Sequence, residues 1–284
     1  MFIKSISYWS FAGGLEGTAP VAEVFAKAKK AGFEAVEVAL SGAGDLCLTT
    51  TKKGAKNIVR AAGDAGIQIS SVATGLFWSK SLSSDDLKVR AEALNIAARL
   101  IETAALLGAG AVLLIPGAVD VFFDPSAAVV NYDTVYKRAT DSISMLIPQA
   151  KAAKVAIGIE NVWNKFLIDP FAMRAFIDQF NSAWVGSYFD VGNSMLVGYP
   201  EQWIRILGKR IKRVHLKDFR RSVGTADGFV DLLSGDVNWP EMMMSLREIG
   251  YSGPLTAEMI PIYKHSPEVL IENTSRAMDA ILRL

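Results

Sequence analysis

Eight times along this chain a short run rich in Val, Ile and Ala gives way to a longer amphipathic segment. That alternation constrains the fold more than any other feature, because strand–helix repeats build parallel sheets covered by helices. Strands are expected over Ile3–Tyr8, Phe33–Ala39, Ile67–Val72, Ala111–Ile115, Val155–Ile159, Val185–Phe189, Ile211–Leu216 and Leu255–Glu258. Helices fill the intervals. The first runs from Thr18 or Ala19 to Lys30, followed by Thr51–Ala65, Leu87–Leu107 and Tyr132–Ala153. The next starts at Asp169-Pro170 and reaches about Phe180, and Glu201–Leu207 follows it. Another runs from Asn238 to Gly250, and Ser266-Pro267 opens the last. Prolines in first turns and Gly32 and Gly66 at the stops match the chemistry of helix ends. Eight units in 284 residues is one per about 35 residues, the spacing of a (β/α)8 barrel. The fold class is therefore α/β, a single (β/α)8 TIM barrel, with residues 1–284 as one domain. An open doubly wound sheet would need a glycine fingerprint after the first strand, and Phe11-Ala12-Gly13-Gly14 lacks its spacing.

Composition narrows the setting. Thirty basic and 29 acidic side chains leave a net charge of +1, so nothing favours nucleic acid or an acidic surface as partner. Cys47 is the only cysteine, so no intrachain disulfide can form, and a reducing, cytoplasmic setting is expected. Met1-Phe2-Ile3-Lys4 begins a strand-like run rather than a charged segment followed by a long apolar one, so no secretory leader is expected. Thr103 to Val119 carries no charge. At about 17 residues it is short for a membrane span, and Gly108, Gly110, Pro116 and Gly117 interrupt it. A helix end, a turn and a buried strand account for it.

Side chains at the carboxyl ends of barrel strands surround the catalytic mouth. Glu160, Asp190, His215 and Glu258 close the fifth to eighth strands, which neighbour one another around the ring. Each has a duller reading alone: Asp190 in Phe-Asp-Val-Gly-Asn suits an Asx turn, and His215 suits a satisfied core histidine. Four such groups on four adjacent strands point instead to one site. Three carboxylates and an imidazole suit Mn²⁺ first, with Mg²⁺, Co²⁺ and Zn²⁺ also admissible. A divalent ion that chelates a ketose carbonyl and its neighbouring hydroxyl acidifies the carbon between them and holds the enediolate. With Glu160 and Glu258 on opposite sides, one removes the proton and the other returns it to the opposite face.

The chain resembles the xylose-isomerase-like barrel superfamily, and within it the ketose 3-epimerases of the D-tagatose and D-psicose type and related sugar-phosphate epimerases. The resemblance rests on the spaced Glu160, Asp190, His215 and Glu258. It is joined by Tyr8-Trp9-Ser10, by Ala31-Gly32-Phe33-Glu34-Ala35-Val36-Glu37-Val38-Ala39, and by Leu82-Ser83-Ser84-Asp85-Asp86 with Val89-Arg90. It implies that those four residues bind the metal, that Glu160 and Glu258 are the acid–base pair, and that Arg221 contacts a sugar or sugar-phosphate substrate. It also implies a homo-oligomer, dimer or tetramer. Asn193 replaces a histidine usual in the free-sugar enzymes, and Phe166 a substrate-contacting glutamate. Asp190-Val-Gly-Asn193 and His215-Leu-Lys-Asp218 look more like the sugar-phosphate and inosose dehydratase-like branches. Lys217, Lys165, Arg220 and Arg221 are candidates to meet a phosphate, and Lys217 and Asn193 to touch substrate. Glu37, ending the second strand, is expected to bond a sugar hydroxyl, and Trp9, Phe77, Trp78 and Trp163 to form an apolar wall.

Alternatives remain at this level. An inosose- or dehydroshikimate-type dehydratase would use the same enolate with Lys217 as extra acid, and a hydroxypyruvate-type aldose–ketose isomerase the same proton abstraction. A sugar-binding protein would turn nothing over. An endonuclease IV-like site needs a histidine-rich three-metal cluster, which His215 and His265 alone cannot build.

Overall fold

Helix starts are set by side chains that cap them. In the computed structural model, which describes all residues Met1–Leu284, Thr51 accepts from Gly54 N and opens α2 (Lys52–Ala65). Asp86 accepts from Lys88 N before α3 (Leu87–Leu107). Asp169 accepts from Phe171 N and Ala172 N before α5 (Pro170–Asp178). These contacts satisfy amide groups that a helix start leaves free. Helices α2 and α3 stop at Gly66 and Gly108, whose φ of 65° and 73° a side chain would resist. The other helices are α1 (Val21–Ala31), α4 (Tyr132–Ala153), α6 (Val191–Ser194), α7 (Pro200–Leu207), α8 (Trp239–Glu248) and α9 (Pro267–Arg283).

Eight parallel strands close a barrel: β1 (Phe2–Ser7), β2 (Ala35–Ala39), β3 (Gln68–Ala73), β4 (Ala111–Leu114), β5 (Ala156–Glu160), β6 (Val185–Asp190), β7 (Ile211–Leu216) and β10 (Gly253–Ala257). The ring runs β1-β10-β7-β6-β5-β4-β3-β2, so the (β/α)8 expectation holds. Helices pack apolar stripes onto the strands' outer faces, with Phe25, Ile101 and Met278 fully buried there. No helix is long and apolar enough to cross a membrane. The uncharged stretch from Thr103 is the end of α3, the turn at Gly108 and β4.

Differences from the sequence reading are local. The last strand starts at Gly253, where its amide donates to Met1 O, and Glu258 stands one residue past its end. After β7 the chain makes a small hairpin, β8 (Asp218–Phe219) with β9 (Phe229–Val230), that the alternation did not announce. Buried Asp218 organises the loop between this hairpin and α8, accepting from the backbone N–H of Phe219, Leu233, Gly235 and Val237 and from Trp239 Nε1. Inside the barrel, Gly158 leaves room for Tyr188, since a Cβ there would lie 2.9 Å from the Tyr188 ring. That space lets the phenol reach across the barrel interior, directly beneath the carboxyl ends of the strands.

Candidate metal centre

Strand register brings the four expected ligands together. Asp190 pairs with His215 across β6 and β7, and Thr256 of β10 with the other side of His215. Glu160 ends β5 opposite Tyr188, and the Glu258 amide donates to Leu216 O at 3.1 Å, extending the ladder by one residue. Asn161 clamps the two neighbouring strand ends. Its Nδ2 donates to Asp190 O and its Oδ1 accepts from Asp190 N, both at 2.8 Å. One ligand atom from each of Glu160, Asp190, His215 and Glu258 lies within 4.8 Å of the others, and all four residues are buried.

The imidazole divides the site into two sides. Its Nδ1 faces Glu160 Oε1 at 3.3 Å, Asp190 Oδ2 at 3.7 Å and Glu258 Oε1 at 3.8 Å. Its Nε2 lies 2.9 Å from Glu37 Oε1. The other Glu37 oxygen accepts from Ser71 Oγ at 3.0 Å and from the Tyr188 hydroxyl. A carboxylate on Nε2–H fixes the tautomer that leaves Nδ1 free for a cation. Glu37 is thus corrected from its expected place at the mouth. It does not line the cavity, and it sits beneath the site as the partner of His215.

Asp190 does make the Asx-type contact, with Oδ1 accepting from Asn193 N at 2.7 Å, which starts α6. That leaves Oδ2 buried with no aligned hydrogen bond, as is His215 Nδ1. Both atoms face the point where a bound cation would satisfy them, with the Lys217 ammonium 3.1 Å from Oδ2 as the counter-charge already there. Charge points the same way. The carboxylates of Glu37, Glu160, Asp190 and Glu258 face only two cationic side chains, His215 and Lys217. The excess negative charge, buried, calls for a dication. The residues therefore fit a divalent ion.

Proton affinities follow from the same crowding. Burial pushes Glu160 up to about 7, against the pull of His215. Burial also opposes ionisation of Asp190 and Glu37. Lys217 and His215 outweigh it for Asp190, as do His215 and the bonds from Tyr188 and Ser71 for Glu37, so both are lowered. Burial lowers His215, yet Glu37 and Glu258 hold it well above its ordinary value. Lys217 is likewise raised over its burial cost by Asp190, Glu258 and Glu160.

Above the ligands opens a cavity of about 610 Å³. Glu160 and Glu258 line it, whereas Asp190 and His215, each with 0% of its surface exposed, lie behind. Asn193, Lys217 and Trp9 also line it, and so do Trp78 and Trp163. Phe77 does not. It is buried in the core. Lys217 bonds Glu258 and lies 3.1 Å from Asp190 Oδ2. Arg221 stands apart from the lining. Its guanidinium donates to Gly198 O at 2.7 Å and stacks on Tyr199 at 4.4 Å, outside the cavity lining. The wall has members that sequence reasoning missed: Phe122 and Phe123, from the loop after β4, and Phe229 on β9. No strand-end pattern marks those loops.

Residues 25–279 match the family described as Xylose isomerase-like TIM barrel. The chain is 25% identical over 235 residues to L-ribulose-5-phosphate 3-epimerase UlaE of Escherichia coli K12, covering 82% of this chain and 79% of that protein. Two solved structures share the fold. D-psicose 3-epimerase with D-tagatose, from Clostridium cellulolyticum H10, gives a TM-score of 0.80 at 17% identity, covering 99% of this chain and 98% of that one. The 3-keto-D-glucoside 4-epimerase YcjR of E. coli gives 0.78 at 14% identity, covering 99% and 100%.

Proposed function

The chain belongs to the xylose isomerase-like TIM-barrel family, and from that premise we propose that it is a metal-dependent 3-epimerase of a ketose or ketose phosphate. One observation carries the reading. Of four buried ligand residues gathered within 4.8 Å, only the two glutamates face the cavity. In this reading Asp190 and His215 hold a cation, and Glu160 and Glu258 both hold it and meet substrate.

Glu160, Asp190, His215 and Glu258 would hold the ion, with Mn²⁺ the first choice for this oxygen-rich donor set. When bound, the ion polarises the substrate carbonyl and acidifies the neighbouring C–H. One glutamate takes the C3 proton and the other returns a proton to the opposite face, so the centre inverts. Glu37 holds the His215 ring by its Nε2 side and keeps Nδ1 turned to the ligands. Asn193, with its backbone committed to Asp190 and Trp163, presents its side chain to a sugar hydroxyl. Trp9 and its apolar neighbours exclude water from the carbanion-like carbon.

The relatives support the same class: UlaE is an L-ribulose-5-phosphate 3-epimerase, and this chain would share its reaction type. Lys217, lining the cavity next to Glu258, favours a second reading in which the deprotonated ketose expels a β-hydroxyl as water. Mass spectrometry of the product separates the two, because epimerisation conserves mass and elimination loses water. Self-association as a dimer or tetramer belongs to the same reading, and sedimentation velocity measures it. The direct test is turnover of a ketose panel with Mn²⁺. Glu160→Gln and Glu258→Gln should each lower it by about 10²–10⁴, and full activity in either variant would overturn the acid–base assignment.

A further inference from the structure

The cavity is lined by more apolar surface, and by fewer free cations, than a sugar phosphate requires. Lys217 is its only cationic lining residue, and that ammonium is paired with Glu258 and Asp190 at the floor. Three other basic side chains of the mouth loops are engaged outside the lining. Lys165 pairs with Asp120, Arg220 Nε donates to Ser234 O, and Arg221 bonds Gly198 O. Toward the rim the charged lining residue is Glu16. A ketose whose carbonyl end reaches Glu160 and Glu258 would carry a terminal phosphate toward an outer lining that holds no positive charge. Dehydrating a dianion there has no compensating partner.

The rim offers aromatic rings instead. Trp78, Phe123, Phe122, Trp163 and Phe229 form a continuous chain across the mouth. Trp78 meets Phe123 at 5.0 Å between centroids, Phe123 meets Phe122 at 5.0 Å, Phe122 meets Trp163 at 5.5 Å, and Trp163 stacks on Phe229 at 5.0 Å. Phe122 and Phe123 remain 45% and 55% exposed, and Leu15 on the same cavity 54%. Exposed rings in contact around a concave site form an apolar patch awaiting a ligand. Size agrees. Cavities of about 300–1,000 Å³ take drug-sized ligands, and about 610 Å³ leaves room for a second ring beyond a ketose.

We propose that the aromatic rim formed by Trp78, Phe122, Phe123, Trp163 and Phe229 receives an uncharged ring, aryl or glycosyl, borne by the ketose at the end remote from its carbonyl. The natural substrate is then a ring-substituted ketose and not a ketose phosphate. This rests on reading the floor as a metal-dependent epimerase, so binding and chemistry are measured separately.

The test uses four sugars that differ only at O6: D-fructose, D-fructose 6-phosphate, 6-O-benzyl-D-fructose and 6-O-glucosyl-D-fructose. Binding to the Mn²⁺-loaded protein is followed by calorimetry, and deuterium uptake at C3 is followed in D₂O. At least one ring-bearing sugar should bind about tenfold or more tighter than fructose, a difference of about 1.4 kcal/mol, and the phosphate no tighter than fructose. The better of the two ring-bearing sugars identifies the substituent as aryl or glycosyl. In Phe123→Ala, an exposed position, the preference for the ring over fructose should fall about tenfold, and Phe122→Ala repeats the measurement independently. Tighter binding of the phosphate, ring-bearing sugars no better than fructose, no sugar binding at all, or a preference untouched in both variants would each overturn the proposal. The expected binding order without C3 exchange in any sugar would instead overturn the epimerase reading alone.

Discussion

On one side of the barrel, β5 ends in Glu160, β6 in Asp190, β7 carries His215 next to its end, and β10 leads directly into Glu258. On the other side, β1 to β4 end in Ser7, Ala39, Ala73 and Leu114. That second side contributes Trp9, Leu40, Trp78, Leu113 and, from the loop after β4, Phe122 and Phe123 to the same cavity. The ring thus divides into an ionic arc and an apolar arc. Most of the apolar wall lies apart from the buried carboxylates, although Trp163 after β5 and Phe229 on β9 complete it from the ionic side. A substitution at Trp78, Phe122 or Phe123 should leave the ionic arc in place. Glu37 of β2 links the two arcs. It crosses the barrel to hold His215 and Tyr188, so the apolar arc also anchors the imidazole.

The sharpest way to break this division is to remove one charge from the ionic arc. Glu160→Gln or Glu258→Gln should lower kcat/KM by about 10²–10⁴, the range of a lost acid–base group, and steady-state kinetics at saturating Mn²⁺ measures it. Next comes the crossing residue. Glu37→Gln should weaken Mn²⁺ binding about 10- to 100-fold, as when a carboxylate behind a metal-bound histidine is lost, and kcat should largely recover at high Mn²⁺. Calorimetric titration of the metal separates this from a loss of fold.

Titration gives a smaller effect confined to the ionic arc. Folding raises Glu160 from 4.5 to about 7. A carboxyl shifted upward adds stability that is complete below pH 4.5 and is lost as pH rises through about 7. His215, also raised, acts in the same direction. The metal-free protein should therefore melt at lower temperature as pH climbs from roughly 5 to 8, while Mn²⁺ affinity rises over that window because the ion displaces protons. The smallest effect is expected from the apolar arc. Trp78→Ala should raise KM by less than about tenfold, in keeping with about 0.5–1.5 kcal/mol for an aromatic contact, with Mn²⁺ affinity unmoved.

The ionic arc was legible because strand ends are marked by an abrupt change from apolar to charged residues, as at Ile159-Glu160 and Phe189-Asp190. Barrel periodicity then places those ends side by side. Glu37 carried a signal of its own, an acid between Val36 and Val38 in a fully buried strand, which calls for a buried partner. The identity of that partner, on a strand across the barrel, is long-range information that local spacing does not hold. Arg221 departs from its expected place for a related reason: its guanidinium is captured by Gly198 O and Tyr199, contacts between separate loops. Phe122, Phe123 and Phe229 escaped because the segments after β4 and β7 that carry them have no strand–helix periodicity to read.

The central claim, that Glu160 and Glu258 invert C3 of a ketose beside a bound divalent ion, is tested most directly by where deuterium enters the substrate. Incubation of the Mn²⁺-loaded protein with a ketose it binds, in D₂O, should place one deuterium at C3 in both epimers. No label should enter after metal removal, and either glutamine variant should form the second epimer about 10²–10⁴ times more slowly. Label at C1 would make the enzyme an aldose–ketose isomerase, and turnover or exchange that survives metal removal would contradict the account.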